Sequence, residues 1–197
     1  MRIKLPLAFS TLALALFFLT PAGRLLAADL DAGKIMRPVD GAALPTDQAD
    51  IIATAPRGKL ELDGRTIQPQ EPFPNVFHAV IKVSPGVHTL SLLWDGGKKE
   101  IKFFSGANPP SGFTPFFEHP PLPNIPCTQC HEVNQHGRFR FKGGCFGCHQ
   151  EDSFTKFHAP HSNSILNECG LCHNAHGSTA KALLLFPKDV ACRQCHD

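Results

Sequence analysis

The stretch that decides the fold lies at residues 169–196. It begins Cys-Gly-Leu-Cys-His-Asn-Ala-His-Gly-Ser and ends Cys-Arg-Gln-Cys-His. Each end carries two cysteines separated by two residues, with a histidine directly after the second cysteine. The same Cys-x-x-Cys-His pattern also begins at Cys127 and at Cys145, so four copies use all eight cysteines of this 197-residue chain.

This spacing has a chemical reason. Two thiols three positions apart can add to the two vinyl groups of one haem, and the histidine that follows then lies beneath the iron as a ligand. We therefore predict four covalently bound haem c groups as the cofactors. The attachment residues are Cys127, Cys130, Cys145, Cys148, Cys169, Cys172, Cys192 and Cys195. The proximal iron ligands are His131, His149, His173 and His196.

Three other uses of paired cysteines fit the pattern less well. Structural zinc sites need paired Cys-x-x-Cys knuckles but no histidine after each one. Disulfide bonds suit an exported protein, yet they leave the histidines equally unexplained. Thioredoxin-like redox chemistry normally uses one Cys-x-x-Cys motif rather than several.

The doubled motif at residues 169–196 closely resembles the paired Cys-x-x-Cys-His repeats of bacterial multihaem cytochromes. The earlier pair, at residues 127–149 with His136-Gly137, looks like a diverged copy. In that family, haem packing sets the fold and the function is electron transfer. The resemblance implies a distal iron ligand at His176, in the run Cys-His-x-x-His-Gly. The first half departs from this pattern, because His136 follows His131 by five positions instead of three.

The remaining iron ligands are expected to be histidines as well. Methionine is nearly excluded, because Met1 starts the chain and Met36 lies far from the motifs. His78 and His88 fall in the part that is rich in β-formers, and we interpret them as ordinary strand residues. The candidates for the distal positions are His119, His136, His158, His161 and His176.

One of these five histidines is surplus, and the choice lies between His158 and His161. His161 precedes Cys169 by eight residues, as His119 precedes Cys127. His158-Ala-Pro matches the local pattern of His119-Pro-Pro, and on this ground we favour His158. The surplus histidine is then either a surface residue or a ligand to a haem in a neighbouring molecule.

The cysteine-free part of the chain predicts β-structure. Lys59–Leu62 alternates and precedes an Asp63-Gly64 turn, and a hairpin is predicted to join Val87–Trp94 to Lys98–Phe104. Several short strands between Gly and Pro turns favour a small β-sandwich. The run Ser-Pro-Gly-Val-His-Thr-Leu at residues 84–90 resembles the immunoglobulin-like modules of bacterial surface proteins.

The first residues are typical of an export signal. Arg2 and Lys4 precede an apolar run of about 15 residues, shorter than the roughly 20 needed to span a bilayer. We expect cleavage near Ala28, and no membrane span afterwards. No cysteine lies near this leader, which excludes an acylated N-terminal cysteine.

Together these patterns predict four segments. They are a signal peptide at 1–28, a β-sandwich-like module at 29–105, a Pro/Gly-rich linker at 106–118 and a tetrahaem cytochrome c domain at 119–197. The predicted fold class is thus a small N-terminal all-β module followed by a haem-packed, mostly irregular domain with short helices. The last segment has few core-forming side chains, so the haems are expected to supply its core.

The predicted function is electron transfer by bis-histidine, low-potential haems in anaerobic respiration, as an electron carrier and not an enzyme. One alternative is a multihaem reductase of a small nitrogen or sulfur oxyanion, which needs an iron with an open position. Another is a structural subunit of an extracellular cytochrome filament.

The expected location is the periplasm or the outside of the cell. The expected partners are redox proteins, other multihaem cytochromes among them, and further copies of this chain. Without the leader, acidic and basic residues nearly balance, so nothing indicates binding to nucleic acid.

The purified protein should carry four covalently attached haems, because every cysteine belongs to a Cys-x-x-Cys-His motif. Intact mass spectrometry with a haem stain after denaturation measures this number. Fewer covalent haems, or zinc in their place, would contradict the prediction.

Overall fold

The computed structural model describes residues 33–119, 125–150, 161–162 and 168–196. All of these residues belong to one compact unit, Asp31–Asp197. The predicted signal peptide and His158 lie outside the described residues. None of the described residues forms a helix long and apolar enough to cross a membrane.

The residues before the motifs form two sheets. The strands are β1 (Lys34–Arg37), β2 (Ala42–Leu44), β3 (Gln48–Thr54), β4 (Lys59–Leu62), β5 (Arg65–Ile67), β6 (Gln70–Phe73), β7 (Val76–Lys82), β8 (Gly86–Trp94), β9 (Gly97–Ser105) and β10 (Thr114–Pro115). One sheet has the order β1-β3-β7-β6, and the other has the order β10-β2-β9-β8-β4-β5. This β-rich region is consistent with the predicted sandwich.

The core follows from the alternation of side chains along the strands. Ala49, Ile51 and Ala53 alternate along β3 and are fully buried, as are Leu90 and Leu92 of β8. Successive residues of a strand point to opposite faces, so one face of each strand supplies the shared core.

The predicted hairpin and the predicted turn at Asp63-Gly64 are both confirmed. Trp94 pairs with Gly97 across the Asp95-Gly96 turn, and Leu62 pairs with Arg65 across Asp63-Gly64. Asp63 and Gly64 have φ of 51° and 76°, the left-handed values that a tight hairpin turn requires and that Asp-Gly adopts readily.

The two histidines of this region are engaged inside it. The Nδ1 atom of His88 lies 2.7 Å from a carboxylate oxygen of Asp63, and its Nε2 lies 2.7 Å from the backbone carbonyl of Ser84. The Nε2 atom of His78 lies 2.9 Å from a carboxylate oxygen of Asp50.

The segment predicted as a linker contributes to the sandwich. Strand β10 adds to β2 in parallel, and the backbone N–H of Phe116 donates to the carbonyl of Ala43 at 2.9 Å. The side chain of Phe116 is only 5% exposed and belongs to the core cluster. The chain therefore remains part of the module at least as far as Phe116.

The cysteine-bearing segment has little regular structure. It contains β11 (His131–Val133), β12 (Phe139–Phe141), the short helix α1 (Lys188–Cys192) and several 3-10 turns. Among its described residues, 125–150, 161–162 and 168–196, only Gly177 and Ser178 are buried. Its side chains alone thus make no hydrophobic core.

A fragment of residues 29–118 should be more stable than one of residues 29–108. The longer fragment keeps β10 and Phe116, and losing a buried Phe side chain costs about 3–5 kcal/mol. Urea unfolding followed by circular dichroism measures the difference. Equal midpoints would contradict the role of Phe116, and random-coil spectra for both would show that the module depends on the cysteine segment.

Candidate functional site

Each Cys-x-x-Cys-His motif forms a single helical turn. The N–H of the second cysteine donates to the carbonyl of the first in all four copies, at distances of 3.1–3.3 Å. The N–H of the histidine donates to the same carbonyl in three copies, those ending at His149, His173 and His196. One turn places residues separated by three or four positions on one face, so both thiols and the imidazole share a side.

None of the eight cysteines, all of which the structure describes, forms a disulfide. Burial raises the pKa of the Cys145 thiol, and the nearby thiols of Cys169 and Cys130 raise it further. Cysteines from the first three motifs therefore lie close together.

A second turn recurs after the first motif of each pair. Asn134 accepts hydrogen bonds from the backbone N–H of His136 through its side chain, at 3.0 Å, and from Gly137 through its carbonyl, at 2.9 Å. Asn174 accepts the corresponding bonds from His176, at 3.0 Å, and Gly177, at 3.1 Å. The two Asn-x-His-Gly runs are thus structural counterparts.

After this turn, the backbone of each half forms a hydrogen bond with the second cysteine of its motif. The N–H of Lys142 donates to the carbonyl of Cys130 at 2.9 Å, and the N–H of Leu185 donates to that of Cys172 at 2.8 Å. The two additional residues of the first half lie in β11, which pairs with β12. An internal repeat therefore underlies the doubled motif.

Three of the four motif histidines face a distal candidate. The ring centroids of His131 and His176 lie 5.7 Å apart and the rings are nearly parallel, at 17°. Those of His149 and His119 lie 5.8 Å apart. Those of His196 and His161 lie 6.0 Å apart.

These separations fit a metal between the rings. An imidazole nitrogen binds a metal at about 2.0–2.1 Å, so two histidines that held one iron between them would have ring centroids roughly 6 Å apart. The Nδ1 atom of His119 is also buried with no hydrogen-bond partner among the described residues. An orphaned polar atom indicates a missing partner.

A backbone carbonyl orients the ring of His173. Its Nδ1 lies 2.8 Å from the backbone carbonyl of Ala182, a contact in which Nδ1–H donates and Nε2 keeps its lone pair. Among the described residues no ring is paired with that of His173 in this way. His136 is exposed.

The pair formed by His131 and His176 is the more sheltered one. Burial lowers the pKa of His131, against an opposing contribution from the carbonyl of Arg140. Burial also lowers the pKa of His176, and the proximity of His131 lowers it further. Both effects favour neutral imidazole, the form that binds a metal.

Several apolar side chains around the motifs are exposed to solvent. A large apolar group bonded to the cysteines would shield them from water, and the residues present therefore fit haem. The exposed apolar residues of this segment include Val133, Phe141, Phe146, Leu171, Leu185, Phe186 and Val190.

Paired cysteines, paired histidines and an exposed apolar surface are the features that a c-type cytochrome segment requires. Residues 108–196 match the model of the Class III cytochrome C family. The match supports a multihaem c-type cytochrome that binds haem c covalently and transfers electrons.

Solved structures resemble part of the chain only distantly. A polysaccharide lyase matches 42% of this chain at 7% identity and a TM-score of 0.35, and the match spans 13% of the lyase. Fibronectin(III)-like modules of Clostridium thermocellum CbhA match 39% of this chain and 100% of their own, at 22% identity and a TM-score of 0.30. Likenesses this weak carry no inference. Among curated proteins, none matches the chain.

Sequence reasoning missed the Asn-x-His-Gly repeat. Aligning the halves on Cys-x-x-Cys-His makes His136 look displaced, whereas aligning them on Asn134 and Asn174 makes the turns equivalent. The signal was therefore present in the sequence, two residues before each histidine.

Substituting Gly177→Ala should destabilise the protein more than Gly137→Ala. Both glycines have positive φ, of 120° and 71°, but a Cβ on Gly177 would lie 2.3 Å from the ring of Phe116, whereas nothing lies within 4 Å at Gly137. Forcing an extra carbon into a packed site costs about 1–3 kcal/mol. Chemical denaturation of both variants measures the difference, and equal losses would show that Phe116 does not restrict this turn.

Proposed function

We propose that the chain is an exported tetrahaem electron carrier in which two histidines hold each iron. The observation that carries this proposal is the pairing of three motif histidines with three distal candidates at 5.7–6.0 Å. Haem supplies one-electron redox chemistry when bound, and the chain supplies ligation, spacing and shielding.

The three ring pairs support one set of ligands. His131 and His176 would hold the haem of the first motif, and His149 and His119 that of the second. His196 and His161 would hold the haem of the fourth motif. The first of these pairs joins the two halves of the repeat, whereas the other two lie within one half each.

The internal repeat supports a candidate for the remaining ligand. His131 corresponds to His173, and the Asn-x-His-Gly turns make His176 correspond to His136. His131 is paired with His176. Replacing each of these residues by its counterpart in the other half predicts a pair of His173 with His136. His136 would then be the distal ligand for the third motif.

This assignment leaves His158 as the surplus histidine. The ring of His161 stands 6.0 Å from that of His196, and the eight-residue spacing before Cys169 matches that of His119 before Cys127. Spacing thus supports His161 over the local pattern that favoured His158.

Low reduction potentials follow from this set of ligands. Methionine ligation raises the potential of a haem, and Met36 belongs to β1, within the β-rich region. Bis-histidine irons also exchange electrons without changing ligands. Both points suit a relay in anaerobic respiration that passes electrons between redox proteins outside the inner membrane.

One observation favours a second candidate function. Among the described residues no ring is paired with that of His173, so the haem of the third motif is the place where an open iron would lie. An open position beside a polar pocket would allow reduction of a small nitrogen or sulfur oxyanion. The spin state of the unmodified protein separates the two proposals.

The unmodified protein should contain only low-spin haem, and His136→Ala and His161→Ala should each convert one haem to the high-spin state. His158→Ala is the matched control and should leave all four haems low-spin. Absorption and electron paramagnetic resonance spectra measure the spin states.

Two results would overturn parts of this proposal. A high-spin haem in the unmodified protein that binds small anions would favour the reductase. A high-spin haem in His158→Ala, with none in His161→Ala, would reverse the assignment of these two histidines.

A further inference from the structure

A cluster of charged residues surrounds the buried Arg37, and none of its members is a predicted haem ligand. Arg37 ends β1 and is only 1% exposed. One of its terminal nitrogens lies 3.3 Å from a carboxylate oxygen of Asp50, and the other lies 2.6 Å from one of Glu118. Asp50 in turn contacts His78, and the contact raises the pKa of that histidine.

The guanidinium of Arg37 is not satisfied within this cluster. The two carboxylates neutralise its charge, but its three nitrogens make no hydrogen bond of good geometry with any described residue. A buried arginine without full hydrogen bonding is costly to the fold. Packing of the core does not require a buried arginine at this position, so Arg37 is expected to have another role.

A chain of contacts connects the cluster to the pair formed by His131 and His176. The guanidinium carbon of Arg37 lies 5.9 Å from the centre of the Phe116 ring. That ring fills the space beside Gly177, which follows His176. Next to it, Phe117 and Ser178 exchange backbone hydrogen bonds of 2.8 and 3.0 Å. The module thus fixes the turn that carries His176.

The opposite member of the pair is also supported by the module. The ring of His131 stacks on Phe139 at 4.7 Å and 20°. Phe139 contacts Phe73, the last residue of β6, at 4.8 Å between ring centres. Both members of the pair are therefore connected to the module through a neighbouring residue, His131 through Phe139 and His176 through Gly177.

The charges of the cluster lie close to this pair, because the Phe116 ring lies 5.9 Å from the guanidinium carbon of Arg37 and also occupies the space beside Gly177, the residue after His176. Arg37 and Asp50 are largely buried, so water and salt screen their fields less than they screen surface charges.

We propose that the β-module forms part of the haem site between His131 and His176, and that Arg37 and Asp50 set the reduction potential of that haem. The proposal rests on the proposed function, which places a haem between these two histidines. Reduction adds an electron to the iron, so a nearby positive charge favours the reduced form and a negative charge opposes it. Arg37 and Asp50 are positioning and tuning residues and not iron ligands.

The test uses the full-length haem-loaded protein and two substitutions of opposite sign. Arg37→Met removes a positive charge and should shift one of the four haem potentials downward. Asp50→Asn removes a negative charge and should shift the same haem upward. Spectroelectrochemical titration measures the four potentials, and magnetic resonance of the low-spin haems identifies which signal moves.

Two further variants control for effects on structure. Arg37→Lys keeps the charge and should leave the potential near its original value. Arg57→Met removes an arginine of the same module whose carboxylate partner is Asp95, both groups being exposed, and should shift no haem.

The outcomes separate this inference from the proposed function. Opposite shifts confined to one haem support it. Shifts of the same sign, equal shifts of all four haems, or no shift in Asp50→Asn overturn it while the haem count of the unmodified protein stays at four. Should Arg37→Met fail to fold, Asp50→Asn and Arg37→Lys still decide the question, because a potential unchanged in Asp50→Asn contradicts the proposal.

Discussion

The contact between Phe116 and Gly177 joins the two parts of this chain. Phe116 completes the core of the sandwich, and its ring takes the space that a side chain at position 177 would need. Gly177 and Ser178 are the only buried residues in the described part of the cysteine segment. A segment without a core of its own is thus anchored on a module that has one, at the turn that carries a predicted iron ligand.

Local patterns in the sequence were sufficient for much of the fold. Asp63-Gly64 predicts a turn and Asp95-Gly96 predicts a hairpin, and both hold because a two-residue turn determines the pairing of the strands beside it. The end of the module was harder to predict. Thr114 and Phe116 lie among prolines and glycines, and their partners in β2 are some 70 residues earlier in the chain. No short-range pattern signals such a contact.

In the site too, local patterns were predictable from the sequence and long-range contacts were not. The four Cys-x-x-Cys-His motifs are local, and their identity and spacing are complete in the sequence. The partner of each motif histidine is not local, because His131 faces a histidine 45 positions away. Arg37 gave no signal at all, since one arginine at the end of a strand looks like any surface residue until the fold buries it.

The pairing of His131 with His176 makes the two halves of the repeat interdependent. A haem bonded to the first half receives its second histidine from the other half, so neither half is complete alone. Were the connection between them extended or cut, a first half could take its missing histidine from the second half of another molecule. Exchange of identical elements is an inexpensive route to dimers, and here the exchanged element would be a single Asn-x-His-Gly turn.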